Sequence, residues 1–310
     1  MAKFEHWGIK TRNNPEYGYT SVWQDLVTIR TKAQKELPAT QSEFYDVSLG
    51  HQCNMECPFC YTSAQRQGKI YTNTPQKINH LFQTIWQDPN VRPYQVAIGS
   101  EGEPTIHPEF IRVLECFYEH EVVPNYTTNG KILSTGVIDE IDDILRATTR
   151  YCGGVAVSAN KYNKYFSKAI HLLNNYTDAL INIHMICSDL ESVDFIKEML
   201  VLFDGQVRTF VILPLMEHGR SYMEMTNEAY IKLTEVLTDY KEFGRSKVAV
   251  GARMHQWLTN PNLPSITGIQ THTPEKFSKN LILDDIIRIT PSSFNTEDTC
   301  WYSNYPIFAM

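Results

Sequence analysis

FYDVSLGHQCNMECPFCY, residues 44–61, joins a short β-rich run to Cys53, Cys57 and Cys60, crowded on one loop. The run Phe44–Leu49 opens a rhythm that decides the fold. Similar runs recur at Gln95–Gly99, Val122–Thr127, Gly154–Ser158, Ala179–Ile186 and Val207–Leu215. Helix-compatible segments lie between them, near Pro75–Gln87, Pro108–Tyr118, Thr135–Ala147, Lys161–Asn174 and Ser192–Phe203. Strands alternating with helices imply an α/β chain with a parallel sheet and right-handed crossovers. Ligands on such sheets bind beyond the carboxyl ends of the strands.

Outside this rhythm the signal weakens. Residues 1–43 read as an N-terminal extension with one helical stretch near Ser21–Glu36. Residues 44–220 carry the alternation. Residues 221–310 form a C-terminal extension, with a helix near Asn227–Tyr240, a strand at Lys247–Val250 and then irregular sequence rich in Pro, Thr and Asn. Its aromatic tail, Asp298–Met310, reads as packed on the body. The two extensions are expected to cover open edges of the sheet.

Composition sets limits on function. With 310 residues, 42% hydrophobic and 20% charged, the chain can bury a full core. The formal net charge is −7, and Lys and Arg are scattered, which disfavours a nucleic-acid partner because such binders need a basic stripe. The start, MAKFEHWGIK, has no apolar signal region, and no apolar run approaches a membrane span. The expected location is cytoplasmic, with no membrane partner. In that reducing compartment the seven cysteines do not read as a disulfide framework.

Cys53, Cys57 and Cys60 ask instead for a metal. Three thiolates on one tight loop can hold three irons of a cubane cluster and leave the fourth iron open to chemistry. A structural zinc loop is the plainer alternative and would want a fourth ligand. His51 is close enough in sequence to serve, whereas Cys116, the nearest other thiol, falls in a helix-compatible segment. Cys116, Cys152 and Cys187 read as buried, inert core thiols.

CxxxCxxC after the first strand of a β/α repeat resembles the radical S-adenosylmethionine (SAM) superfamily, and further strand ends strengthen the likeness. AIGSEGEPTIHPEF resembles that family's Gly-Gly-Glu element, NYTTNG its third-strand ending, and GGVAVSAN its fourth. The resemblance runs from Phe44 to Arg220 and implies a partial (β/α)6 barrel holding one 4Fe–4S cluster on Cys53, Cys57 and Cys60. It further implies reductive cleavage of SAM to a 5′-deoxyadenosyl radical that modifies a substrate C–H bond.

By the same likeness, Gly102, Glu103 and Pro104 meet the SAM amino group, although Glu101 leaves open which glutamate acts. Thr128 and Asn129 lie near the cofactor or substrate, and Ser158 and Asn160 near the SAM ribose or carboxylate. Phe59 and the stretch Leu213–Leu215 border adenine. His218 and Arg220 would face the top of the barrel and bind a substrate anion. Gly102–Pro104, the NYTTNG ending and the pair His218 and Arg220 also have a plain reading as turn or loop chemistry.

Cys300, far from the cluster loop, is a candidate hydrogen-atom donor or simply a packing residue beside Trp301. Only one cysteine follows Arg220, so a second cluster on tail thiolates is excluded by arithmetic. An electron donor such as flavodoxin or ferredoxin is implied. A peptide is the substrate class placed first, and tRNA or a nucleotide second. A non-catalytic metal-binding protein is the reading from another class.

Overall fold

Where the sequence reads as a helix, between Ser21 and Glu36, the chain forms strands. In this computed structural model, which describes residues 7–31, 35, 37–265, 270–271, 278–290 and 301–304, an antiparallel meander opens the fold. It consists of β1 (Lys10–Asn14), β2 (Tyr19–Gln24) and β3 (Val27–Arg30). Along β2, residues alternate between buried and exposed, with Tyr19, Ser21 and Trp23 inside. That period of two, carried by β-branched and aromatic residues, is a strand signal. The turn conceals it. Asp25 and Leu26 both take positive φ (51° and 63°), a geometry usually signalled by Asn-Gly or Asp-Gly.

The meander seals the amino ends of the main strands rather than an edge of the sheet. Trp7, Trp23, Tyr94 and Val123 form a buried cluster, with Leu26 packed against it. Trp23 stacks on Tyr94 at 6.4 Å between ring centroids. Arg12 is buried there as well, donating to the carbonyls of Gln41 (2.7 Å) and Arg92.

The six expected strands are all present: β4 (Phe44–Ser48), β5 (Gln95–Ile98), β6 (Val123–Thr128), β7 (Gly154–Ala159), β8 (Leu180–Cys187) and β9 (Thr209–Pro214). They pair in sequence order, all parallel. The C-terminal residues add to both sides of the same sheet. Beyond β9 lie β10 (Lys247–Val250) and β11 (Gln270–Thr271). Beyond β4 lies β12 (Ser278–Leu283), parallel to it, followed by β13 (Ile286–Thr290) and β14 (Trp301–Asn304), antiparallel. The sheet is open: among the described residues its ends, β11 and β14, do not pair with each other.

The connecting helices are α1 (Thr74–Gln83), α2 (Phe110–Glu119), α3 (Lys131–Thr135), α4 (Ile138–Tyr151), α5 (Phe166–Tyr176), α6 (Leu190–Leu202), α7 (Asn227–Phe243) and the short α8 (His255–Leu258). Two differ from the sequence expectation for local reasons. Gly136 ends α3 and splits the segment Thr135–Ala147. The α5 segment starts late because the side chains of Asn160 and Asn163 accept from Tyr162 N (3.0 Å) and Tyr165 N (2.9 Å), holding turns instead of helix.

Strand periodicity divides the core. In β8, Ile181, Ile183, Met185 and Cys187 are buried in the apolar core, while Leu180, Asn182, His184 and Ile186 are only partly buried. His184 and Ile186 line the cavity described below. The helices cover the other face with Ile144, Leu145, Ile170, Leu173, Val193 and Ile196, all buried.

Asp204 staples the turn after α6 to the turn before β10. Its carboxylate accepts from Ser246 N (3.0 Å), Arg245 N (2.8 Å), Arg245 Nε (3.1 Å) and the Tyr240 hydroxyl. Burial alone would raise this carboxyl, but those donors outweigh it and hold it well below the usual range. An acid lowered on folding stabilises above its unfolded value and loses that contribution as pH falls. The stability advantage of wild type over Asp204→Asn should therefore be full above about pH 4 and fade below it, as urea titrations across pH would show.

Candidate cofactor site

At the carboxyl ends of β4 to β9 the chain encloses a cavity of about 430 Å³, in the size range of small-molecule sites. Cys53, Cys57 and Cys60 all line it. Their loop is folded back by backbone hydrogen bonds, His51 N to Lys69 O (2.8 Å), Cys53 N to Gln65 O (2.9 Å) and Cys60 N to Cys57 O (3.2 Å). Donors reach the sulfurs as well. Met55 N lies 3.4 Å from Cys53 Sγ, Asn129 Nδ2 3.8 Å from the same sulfur, and Thr62 Oγ1 3.4 Å from Cys60 Sγ.

The thiols are free and half-buried. Burial pushes Cys53 up to about 12 and raises Cys57 too, so a bound cation is needed to hold them as thiolates. Three cysteine thiols on one loop, with no fourth Cys or His among the described residues lining the wall beside them except His184, are the donor type and number that a cubane cluster takes, and the donor set fits the cluster.

Gly102 and Glu103 hold the opposite wall. Gly102 has φ +68°, and a Cβ there would stand 2.5 Å from Gln52 O and 2.7 Å from Gly50 O. Only glycine lets this segment press against the cysteine loop. Glu103 N donates to Gln52 O at 2.9 Å. The Glu103 carboxylate is buried and well supplied with donors. Its Oε1 accepts from Thr105 N (3.2 Å), Thr105 Oγ1 (2.7 Å) and Thr128 Oγ1 (2.7 Å), and its Oε2 from Asn129 N (2.7 Å). Burial raises its carboxyl, and those same donors work against the rise. One lone pair on Oε2 is left for a further donor. Glu101 is turned away, bonded by Ser48 Oγ and 3.6 Å from His51 Nε2, and lines no part of the cavity.

Most of the residues singled out in the sequence come together here. Phe59, Gly102, Glu103, Thr128, Asn129, Ser158, Asn160, Leu213 and Leu215 line the cavity with the cysteines. Four do not. Pro104 opens a short 3-10 turn behind the wall. His51 faces the Tyr71 hydroxyl (3.2 Å) and Glu101. His218 is exposed and outside the lining. Arg220, expected to bind an anion, spends its guanidinium on backbone carbonyls, Cys57 O (2.9 Å) and Ala64 O (2.7 Å), while its own N–H donates to Cys60 O (2.9 Å). It clamps the cysteine loop to the segment after β9. Cys300 lies outside the described residues.

The clamp depends on Gly219, at φ +61°, where a Cβ would meet Tyr61 O at 2.3 Å and Cys60 O at 2.5 Å. Both obstacles are backbone, so neither can swing aside. Gly219→Ala should lower iron incorporation during anaerobic reconstitution several-fold while the far-UV circular dichroism stays that of wild type.

Sequence reasoning missed other wall residues: Asp46, Asn163, His184, Arg253 and Lys279. Asn163 ties two strand ends together, donating to Asn129 O (2.8 Å) and Ser158 O (2.6 Å). Asp46 carried a signal, as the one charge in an otherwise strand-like run. Lys279 carried none, because its place depends on β12 pairing with β4.

No family model matches the sequence, and no curated protein resembles it in a sequence search. Solved structures do resemble the fold. Streptococcus suis SuiB bound to S-adenosylmethionine matches with a TM-score of 0.61 at 15% identity, covering 86% of this chain and 63% of that one. SuiB bound to its precursor peptide SuiA matches at 0.62 and 14% identity, over 84% and 62%. A radical SAM methyltransferase from Sphaerobacter thermophilus matches at 0.50 and 13%, over 78% and 76%. The chain shares its fold with these structures, a radical SAM methyltransferase among them. The chain spans about three fifths of the length of SuiB. No helix among the described residues is long and apolar enough to cross a membrane.

Proposed function

We propose that this chain is a radical SAM enzyme that modifies a C–H bond of a peptide substrate. One observation carries the reading: the three cysteines that follow β4 open into the same cavity as Gly102, Glu103, Asn129, Ser158 and Leu213. Bound there, a reduced 4Fe–4S cluster with SAM supplies a 5′-deoxyadenosyl radical able to take hydrogen from an unactivated carbon.

The residues of the chain do the positioning. Cys53, Cys57 and Cys60 would hold the cluster, and the Asn129 amide donates toward the Cys53 sulfur, a contact of the kind that would tune its potential. The Gly102–Glu103 wall takes the SAM ammonium on the remaining lone pair of Glu103. Ser158 and Asn160 face the ribose or carboxylate, and Phe59 with Leu213–Leu215 border the adenine. Leu213, Leu215, Met216 and Phe59 make that side of the cavity apolar, which keeps water from a reactive radical.

A peptide substrate is supported by the likeness to SuiB, a protein solved with its precursor peptide. A nucleic-acid substrate needs a basic rim, and the formal charge of −7 weighs against one. We assign the cofactor role to residues 44–220 and a covering and substrate role to residues 221–310, of which Gly251, Arg253 and Lys279 line the cavity. Reduced flavodoxin or ferredoxin in the cytoplasm suits the electron demand. The test is anaerobic reconstitution with iron and sulfide, then dithionite and SAM. 5′-Deoxyadenosine is expected by chromatography, and its absence from protein shown to carry the cluster would overturn the reading.

A further inference from the structure

Asp46 is a carboxylate of the cavity wall that no protein group answers. It stands half-buried in the middle of β4 and lines the cavity. Among the described residues it makes no hydrogen bond and no ion pair. The other acid of the wall, Glu103, is met by four donor contacts, and Arg253 has a partner.

Strand alternation explains why no neighbour reaches it. Phe44 and Asp46 line the cavity, whereas Tyr45 and Val47 belong to the apolar core on the other face of β4. In β12, Leu281 and Leu283 join that core, so Asn280, in register with Asp46, shares the face of Asp46. Lys279 is in register with Tyr45, one step off that face, and makes no ion pair with Asp46. Asn280 offers it no donor either. That side chain is fully buried, its Nδ2 donates to Thr290 Oγ1 (3.4 Å), and its Oδ1 has no partner. On the other side of Asp46 the register places Ala97, also in the cavity wall, whose methyl group leaves room beside the carboxylate. This part of the wall therefore holds two acceptors and no side-chain donor to serve them.

A carboxylate withdrawn from water without a partner costs stability, so the group that completes it has to enter through the cavity. Burial pushes Asp46 up to about 7, and no cation pulls it back. Depth separates it from the residues assigned to SAM. At about 3.3 Å per residue, Asp46 lies about 7 Å below the end of β4 at Ser48. Gly102, Asn129, Asn160 and Leu215 all lie past their strand ends. A group that reaches Asp46 from the level of those residues needs a long stem with a donor-rich, positively charged tip. Lysine, an ammonium on a four-carbon stem, and arginine have that form.

We propose that Asp46 is a specificity residue of the substrate site and receives the cationic end of a lysine or arginine side chain of the substrate. This rests on the peptide-substrate reading of the cavity given above, and it narrows that reading to peptides with a basic residue at the bound position.

The test measures binding to anaerobically reconstituted protein by titration calorimetry with SAM present. The probes are acetyl-lysine amide and acetyl-arginine amide, with acetyl-norleucine amide as the neutral control and acetyl-glutamate amide as the anion. One cationic probe, or both, should bind at least about tenfold tighter than the norleucine probe, the stronger arm naming the side chain. Asp46→Asn should abolish that preference, and the loss should fall on the cationic probes and not on SAM. Without a probe the same variant should melt no lower than wild type, since it removes a carboxylate that no protein group answers. Equal binding by the norleucine or glutamate probe, no binding by either cation, an unchanged preference in Asp46→Asn, an equal loss of SAM affinity, or a lower melting point would each overturn the proposal. Wild-type 5′-deoxyadenosine formation measured alongside separates the two readings: its absence from loaded protein refutes the radical chemistry, whereas probe binding judges Asp46.

Discussion

Cys57→Ala should lose the iron–sulfur absorbance and 5′-deoxyadenosine formation together, both falling to background in reconstituted protein. The variant is a clean test because the structural contacts of residue 57 are made by its backbone. Its carbonyl accepts from Cys60 N and from Arg220 Nε, and alanine keeps both bonds. Only the sulfur is removed from the cavity wall. The loop should therefore stay folded, with circular dichroism unchanged and melting within a few degrees of wild type, while the metal site fails. A variant that kept its cluster would show that Cys57 is not a ligand.

The second large effect is on stability. Glu103→Ala removes the acceptor for Thr105 N, Thr105 Oγ1, Thr128 Oγ1 and Asn129 N, all close to a buried position. Unmaking the hydrogen bonds of a buried charged group costs about 3–5 kcal/mol, which corresponds to a fall in melting temperature of roughly 10 °C in a chain of this size. Glu103→Gln should fall between the two. Its oxygen can still serve the threonines, but its NH2 then faces the N–H of Asn129, donor against donor. The ordering wild type, Gln, Ala by thermal melting checks the assignment. Melting curves that coincide would mean the carboxylate is not bound as described.

Much of this was legible in the sequence, and the exceptions have physical causes. The strands β4 to β9 announce themselves because each carries an apolar run bounded by turn residues, and the cysteine loop and GEP segment follow strand ends directly. The meander β1–β3 was hidden because Asp25 and Leu26 make a tight turn without glycine; Leu26 packs against the buried tryptophan cluster beneath it. β12 was hidden because half of it is polar, SKN, and its reason to be a strand is a neighbour made far earlier in the chain.

At the site, residue type alone misjudged Arg220. A guanidinium after the last core strand suits an anion, but sequence does not show that three carbonyls of the cysteine loop lie within reach of its side chain and N–H. The same blindness covered Lys279, whose place beside β4 comes from a pairing between distant segments.

That pairing also sets an order of events during synthesis. β4, the strand that leads into the cysteine loop, has β5 on one side and β12 on the other. β5 emerges soon after it, whereas β12, at Ser278–Leu283, emerges late. Until then one side of β4 is a bare row of amides and carbonyls, the kind of edge that pairs with other chains. A protein cut short before residue 278 would keep every cluster ligand yet carry that open seam permanently, and it should be recovered as aggregate rather than as a smaller working enzyme.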